Sequence, residues 1–177
     1  MSGVGQNRFV RIDIVAYDHP DAAALIAEVQ QEYVVRYGEE DLTPVDPAQF
    51  APPNGLFLVA YPDGAPMACG GWRVHGDGEA ELKRMYVSLA ARGRGLARAV
   101  LAELERTAAE AGNRRMVLET GLMQPEAIAL YTSSGYVEVP RFGFYAEAPE
   151  AVHLGKLIGV GSELGVGSEE PSCPSMP

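Results

Sequence analysis

The sequence predicts one mixed α/β domain with a mostly antiparallel central sheet and a single parallel strand pair. Three observations carry that expectation. The chain has 177 residues, 47% hydrophobic and 21% charged, which is enough for one ordinary core. Residues 55–87 hold three apolar, β-patterned runs separated by Pro-Asp-Gly and Gly-Asp-Gly turn signals. Residues 79–120 then read as strand, glycine turn, helix and strand, the order a parallel crossover needs.

The elements follow in sequence. Phe9 to Val15 alternates loosely and reads as a strand. Pro20 suits a first helical turn, and Leu25, Ile26, Val29, Tyr33 and Tyr37 recur at helical spacing behind it. Residues 38–54 contain four prolines and read as a loop with a short helical turn. GLFLVAY (55–61), PMACGGWRVH (66–75) and EAELKRMYV (79–87) form an antiparallel meander. Leu96, Val100, Leu101 and Leu104 make one helical stripe that stops near Gly112. RRMVLETG (114–121) is a short buried strand, and residues 124–136 form a helix closed by Gly135. Two short strands, 136–138 and about 150–157, end the pattern. From Gly159 the chain is rich in Gly, Ser, Pro and Glu and poor in large apolar residues. Residues 1–158 are therefore expected to form the domain, and 159–177 a flexible tail.

Composition excludes several function classes. The net charge is −10, and no basic face suited to nucleic acid is visible. No run of 18 apolar residues predicts a membrane span, and the opening MSGVGQNRFVRIDIVAY lacks an apolar signal core. Two cysteines make no disulfide framework: Cys69 sits in an apolar stretch as a small buried hydrophobe, and Cys173 in a polar one. A reducing cytoplasm is the expected location. His19, His75 and His153 have no ligand spacing, so no metal is expected. From Tyr37 to Trp72 there is no Lys or Arg, while Glu39, Glu40, Asp41, Asp46 and Asp63 fall there. That stretch is either a solvated acidic loop or a rim that attracts a cationic substrate.

Arg92-Gly93-Arg94-Gly95-Leu96-Ala97 stands where a strand ends and a helix begins, with Arg98 one residue further on. The first amides of a helix have no internal partners and carry partial positive charge. Glycines let backbone approach a ligand closely, and arginines add charges that chelate phosphate oxygens. The turn reads as a phosphate or pyrophosphate site, with a plain Gly-rich turn and solvent-facing arginines as the alternative. It is not a dinucleotide fingerprint, because Arg98 occupies the third glycine place. It is not a P-loop either, because Leu96-Ala97 replaces Lys-Ser/Thr.

Arg92, Gly95 and Ala97, in an Arg-x-x-Gly-x-Ala pattern after Met85-Tyr86-Val87, resemble the acetyl-CoA site of the GNAT superfamily of N-acetyltransferases. Ala127, Tyr131 and Gly135-Tyr136 match a second family pattern, with Gln124 in place of the usual Asn. The order of elements agrees from the first strand to about residue 157. The resemblance implies helices on both faces of the sheet and a strand that splays from its parallel neighbour. Pantetheine then lies in the gap against Met85, Tyr86 and Val87. The turn amides of Gly93 to Arg98, including Arg94 and Leu96, bind the pyrophosphate, and Gln124 reaches the cofactor. Family members often pair through sheet edges or C-terminal strands, which allows a homodimer.

Acetyl transfer to an amine needs a neutral nucleophile, yet a lysine-like amine has a pKa of about 10.4. It also needs a route for the proton, an N–H aimed at the thioester oxygen, and a donor for the leaving thiolate. Some family members carry a glutamate base where Glu81 stands, four residues before Met85. Glu79, Glu81 and Lys83 also alternate as a solvated strand face would. Glu119 is the second candidate carboxylate. A strand N–H near Val87 would polarise the carbonyl. Tyr131 is the candidate acid, or else a core aromatic beside Leu130.

The resulting expectation is an acetyl-CoA-dependent N-acetyltransferase acting directly on a primary amine: a small cationic amine, an amino acid or a protein amino group. Its rivals are a non-catalytic acyl-CoA-binding module and a transferase using another donor, such as succinyl- or propionyl-CoA. Tyr33, Tyr37, Glu39, Glu40 and Trp72 are expected to line the acceptor side.

Overall fold

The computed structural model describes residues 10–159. Phe9, Cys173 and the tail expected beyond residue 159 lie outside the described residues. Strand β1 (Arg11–Val15) leads to helix α1 (Pro20–Tyr37). Pro20 opens α1 as expected, and Gly38 closes it at φ +85°, where only glycine is unstrained. The proline-rich segment holds one 3-10 turn, Pro47–Phe50, capped by Asp46. The meander follows as β2 (Gly55–Tyr61), β3 (Ala68–Gly76) and β4 (Glu79–Val87). Helix α2 (Leu96–Glu110), β5 (Arg115–Gly121), α3 (Pro125–Ser133), β6 (Val137–Glu138) and β7 (Ala151–Leu157) complete the order.

The seven strands form one sheet in the order β1-β2-β3-β4-β5-β7-β6. Every neighbouring pair is antiparallel except β4–β5, so residues 79–121 are the one parallel crossover. Strand alternation sorts the core into two layers. Leu56, Leu58 and Ala60 of β2 pack with Leu96, Val100 and Leu104 of α2 and with Tyr131 of α3. Phe57, Val59 and Tyr61 turn to the other face, against Ala22, Leu25 and Val29 of α1 and Phe50. The helices therefore cover both faces. Cys69 is fully buried against the α1 side. Among the described residues no helix is long and apolar enough to cross a membrane.

Two local features open the sheet at its centre. Pairing of β4 with β5 runs from Glu79–Arg115 to Leu82–Leu118 and stops there, although both strands continue. In the β3–β4 ladder Cys69 faces Tyr86 and Gly71 faces Lys83, so Gly70 opposes both Arg84 and Met85. This is a β-bulge, which bends its strand. Beyond it the end of β4 leaves β5, and the gap that the resemblance implied is present.

Candidate active site

Two cavities meet in that gap. The first, of about 310 Å³, is walled by Met85, Tyr86 and Val87 of β4 and by the glycine turn residues Arg92, Gly93, Gly95, Leu96, Ala97 and Arg98. Gln124 and Tyr131 close its other side. Gly93 and Gly95 hold φ of +74° and +78°, and a Cβ built on either meets nothing within 4 Å. Gly95 is the N-cap of α2 and no side chain caps the helix. The first intrahelical bond is from the Ala99 amide to the Gly95 carbonyl (3.1 Å). The amides of Leu96, Ala97 and Arg98 therefore lack partners inside the helix, the arrangement that holds a phosphate.

The arginines serve the turn differently from the expectation. Arg94 does not face the cavity: its guanidinium pairs with Asp63 at 2.7 Å, on the turn between β2 and β3. Arg92 lies on the wall, but its Nε donates to the Val87 carbonyl (3.1 Å) and its Nη2 pairs with Glu32 of α1. Arg98 donates to the Ser133 hydroxyl (2.8 Å) at the end of α3. The side chains brace the turn against β4, α1 and α3, and the backbone is left to meet an anion. Arg36 adds a tie from α1 to α3 through Glu126 and the Met123 carbonyl (2.6 Å).

The second cavity, of about 480 Å³, opens on the α1 side of the splayed strands. Tyr33, Tyr37, Glu39 and Glu40 line it as expected. Trp72 does not. It is 2% exposed on the opposite face of the sheet, where its indole donates to the Thr107 hydroxyl of α2 (3.0 Å). The wall also carries the polar groups of Asp41, Lys83, Arg84, Glu119, Tyr145 and Glu150. The acidic stretch divides accordingly. Asp41 is half-buried in an ion pair with Arg84, while Glu39 and Glu40 stay exposed at the mouth.

Glu81 is not on a solvated face. It is 4% exposed, and its carboxylate bridges Arg73 (2.8 Å) and Lys83 (3.2 Å). It lies outside the wall of the second cavity, whereas Glu119 lies on it. Burial is the largest influence on Glu119, against which Lys83 pulls down and Asp41 and Glu81 push up. The balance raises its carboxyl from 4.5 to about 7. His153, opposite Glu119 across the β5–β7 ladder, places Nε2 3.0 Å from the Phe142 carbonyl and 3.5 Å from the Glu119 carboxylate. Burial holds this imidazole below its ordinary pKa, although the Phe142 contact opposes the shift; Arg141 and Lys83 depress it further.

Met85, Gln124, Ala127 and Tyr131 line both cavities and form their junction. Tyr131 is 4% exposed and stacks edge-on with Tyr136. Burial pushes its phenol well above the usual range, with Tyr33 adding a smaller push, so it stays protonated. Among the described residues no group of three or more His, Cys, Asp or Glu is placed to hold a metal.

The sequence profile of the Acetyltransferase (GNAT) family matches residues 23–136. An IAA acetyltransferase of Azospirillum brasilense is 34% identical over 135 residues, covering 76% of this chain and 88% of that protein. A Klebsiella pneumoniae structure assigned to the acyl-CoA N-acyltransferases is 31% identical, with a TM-score of 0.70 over 86% of this chain and 99% of that one. A GNAT-family acetyltransferase from Staphylococcus aureus, 15% identical, shares the fold with a TM-score of 0.65 over 83% and 99% of the two chains. With the glycine turn, the splayed strands and this match over most of its length, the chain belongs to the GNAT acetyltransferase family.

Proposed function

We propose that the protein is an N-acetyltransferase that moves the acetyl group of acetyl-CoA to a primary amine by direct transfer, with donor and acceptor bound together. The observation that carries this reading is the junction. A cavity floored by unpartnered helix amides meets, at Met85 and Tyr131, a second cavity that holds a carboxyl group tuned to about 7. The first suits a diphosphate with a narrow arm beyond it, and the second suits an amine.

When bound, acetyl-CoA supplies an activated thioester. The amides of the 93–98 turn would hold its diphosphate, and the backbone of Met85 to Val87 its pantetheine arm. An N–H near Val87 aimed at the carbonyl oxygen favours the charge that gathers there. The reading gives the amine proton to Glu119 rather than to Glu81, because Glu81 is held between Arg73 and Lys83 while Glu119 lines the second cavity. A base near pH 7 balances ionisation against proton affinity. Tyr131 meets the leaving sulfur as a protonated donor.

The acceptor is assigned as a cationic primary amine with an apolar neighbour. Arg36, Lys83 and Arg84 on the cavity wall each already face a carboxylate. Glu39, Glu40 and Glu150 have no cationic partner among the described residues, so the mouth is negative. Leu42, Leu122, Met123 and Phe144, on or beside the wall, are each more than half exposed.

A free-thiol assay with acetyl-CoA across polyamines, aminoglycosides, amino acids and short basic peptides tests the reading. Tyr131→Phe is expected to lower kcat at least tenfold while leaving acetyl-CoA affinity within about twofold. Tight acetyl-CoA binding with no thiol release from any amine would leave only a binding module.

A further inference from the structure

Arg84 is the only non-glycine residue among those described with a left-handed backbone, at φ +57°. That conformation disfavours an L side chain, so something must hold it. The bulge supplies part of the hold: Arg84 and Met85 share Gly70 as their partner, and the Cys69 thiol contacts the Arg84 carbonyl at 3.4 Å. The guanidinium supplies the rest. It is 4% exposed and ion-paired with Asp41, with the Tyr17 hydroxyl 3.4 Å from Nε.

Asp41 belongs to the irregular segment after α1 and is itself fixed. Its carboxylate accepts from the Thr43 amide (2.8 Å) and hydroxyl (2.6 Å), and its amide donates to the Gln30 side chain (3.0 Å). Burial pushes its carboxyl up, but Arg84, both Thr43 donors and Lys83 outweigh this and hold it below the ordinary range. The next amide, Leu42, donates to the Tyr145 hydroxyl (2.9 Å) across the same cavity. One ion pair thus joins the wall of the acceptor cavity to the strand residue that precedes Met85, Tyr86 and Val87.

We propose that Asp41 is a positioning residue. Its pair with Arg84 holds the β4 bulge and ties segment 38–46 to the donor strand, so that filling the donor cleft orders the acceptor wall. The inference rests on the reading that the cleft takes acetyl-CoA. A ligand in the cleft and order in the tied segment then favour each other reciprocally.

Two substitutions separate backbone from ion pair. Arg84→Gly accepts φ +57° without strain and cuts the tie; Arg84→Ala cuts the tie and keeps the strain. Arg84→Ala is expected to bind acetyl-CoA about tenfold more weakly than Arg84→Gly. The double variant Asp41→Asn with Arg84→Gly leaves no unpaired buried charge and guards against a folding failure, which a thermal melt checks. Amide hydrogen exchange is then followed at Leu42 and Thr43 with and without acetyl-CoA. In the native protein, acetyl-CoA is expected to slow both amides at least fivefold. The double variant is expected to bind acetyl-CoA within about threefold of native and show no slowing. Equal slowing in both proteins, or equal affinity of Arg84→Ala and Arg84→Gly, overturns the proposal while the donor-cleft reading stands. Failure of the native protein to bind acetyl-CoA overturns both.

Discussion

Replacing Glu119 with Gln removes a charge that the fold holds in an unfavourable place. The side chain is 10% exposed, and its carboxyl is raised from 4.5 to about 7. The folded chain therefore holds this proton more tightly than the unfolded chain does. Below pH 4.5 both states carry the proton and the penalty is absent. Above pH 7 both are ionised and the penalty is complete, so native stability falls as pH rises between these values. At 1.36 kcal/mol per pH unit, the penalty is about 3 kcal/mol. Glu119→Gln is isosteric and stays neutral, so it is expected to match the native protein near pH 4. By pH 8 it gains up to about 3 kcal/mol, or roughly 6–12 °C in Tm for a chain of this size. Urea unfolding of both proteins at half-unit intervals from pH 4.5 to 8.5 measures the difference. A pH-independent difference, or a variant less stable at pH 8, would refute the claim that Glu119 is desolvated. The same variant should lose about a hundredfold or more in kcat/KM, and the native acid limb should fall near pH 7. A group that stabilises when neutralised and inactivates when neutralised is hard to explain as packing alone.

Gly95→Glu places a bulky anion at a left-handed N-cap; acetyl-CoA affinity by calorimetry should fall at least a hundredfold, and Gly95→Ala should cost about 1–2 kcal/mol of stability. Glu32→Gln releases Arg92 and removes an anion from the donor cleft, so acetyl-CoA should bind about two- to fivefold more tightly at low salt, with the gain fading by 0.5 M salt. Trp72→Phe loses the bond to Thr107 and some core volume; stability should drop by about 1–3 kcal/mol while the KM for amine stays unchanged.

Local chemistry was legible in the sequence, and long-range cover was not. The order of elements, the meander, the crossover and the glycine turn each follow from local runs and turn signals met in sequence order, and the structure agrees with them. The two open readings of the strand 79–87 show the limit. Alternation of Glu79, Glu81 and Lys83 reveals that they share a face, but not what lies over it. That cover includes His75 and Phe142, whose rings lie tilted against each other at 4.8 Å, and the irregular segment 139–150 has no periodicity to announce its place. The Arg94 partner, Asp63, is 31 residues away, so no local pattern told it from an arginine free for phosphate. Proximity to the acidic stretch points Trp72 to the wrong face. Its parity with Ala68, two alternations earlier, would have sent it to the α2 face, where both residues lie. His153 gave no signal, because its relation to Glu119 exists only in the register of β5 and β7.

The wall of the first cavity comes mostly from one stretch, 85–98, whose free amides are backbone groups set in place by two left-handed glycines. The wall of the second cavity is gathered from α1, β4, β5 and the irregular segments 38–46 and 139–150. On the proposed function, exchanging 38–46 and 139–150 would redirect the protein toward a new nucleophile. The carrier it draws acyl groups from would stay the same.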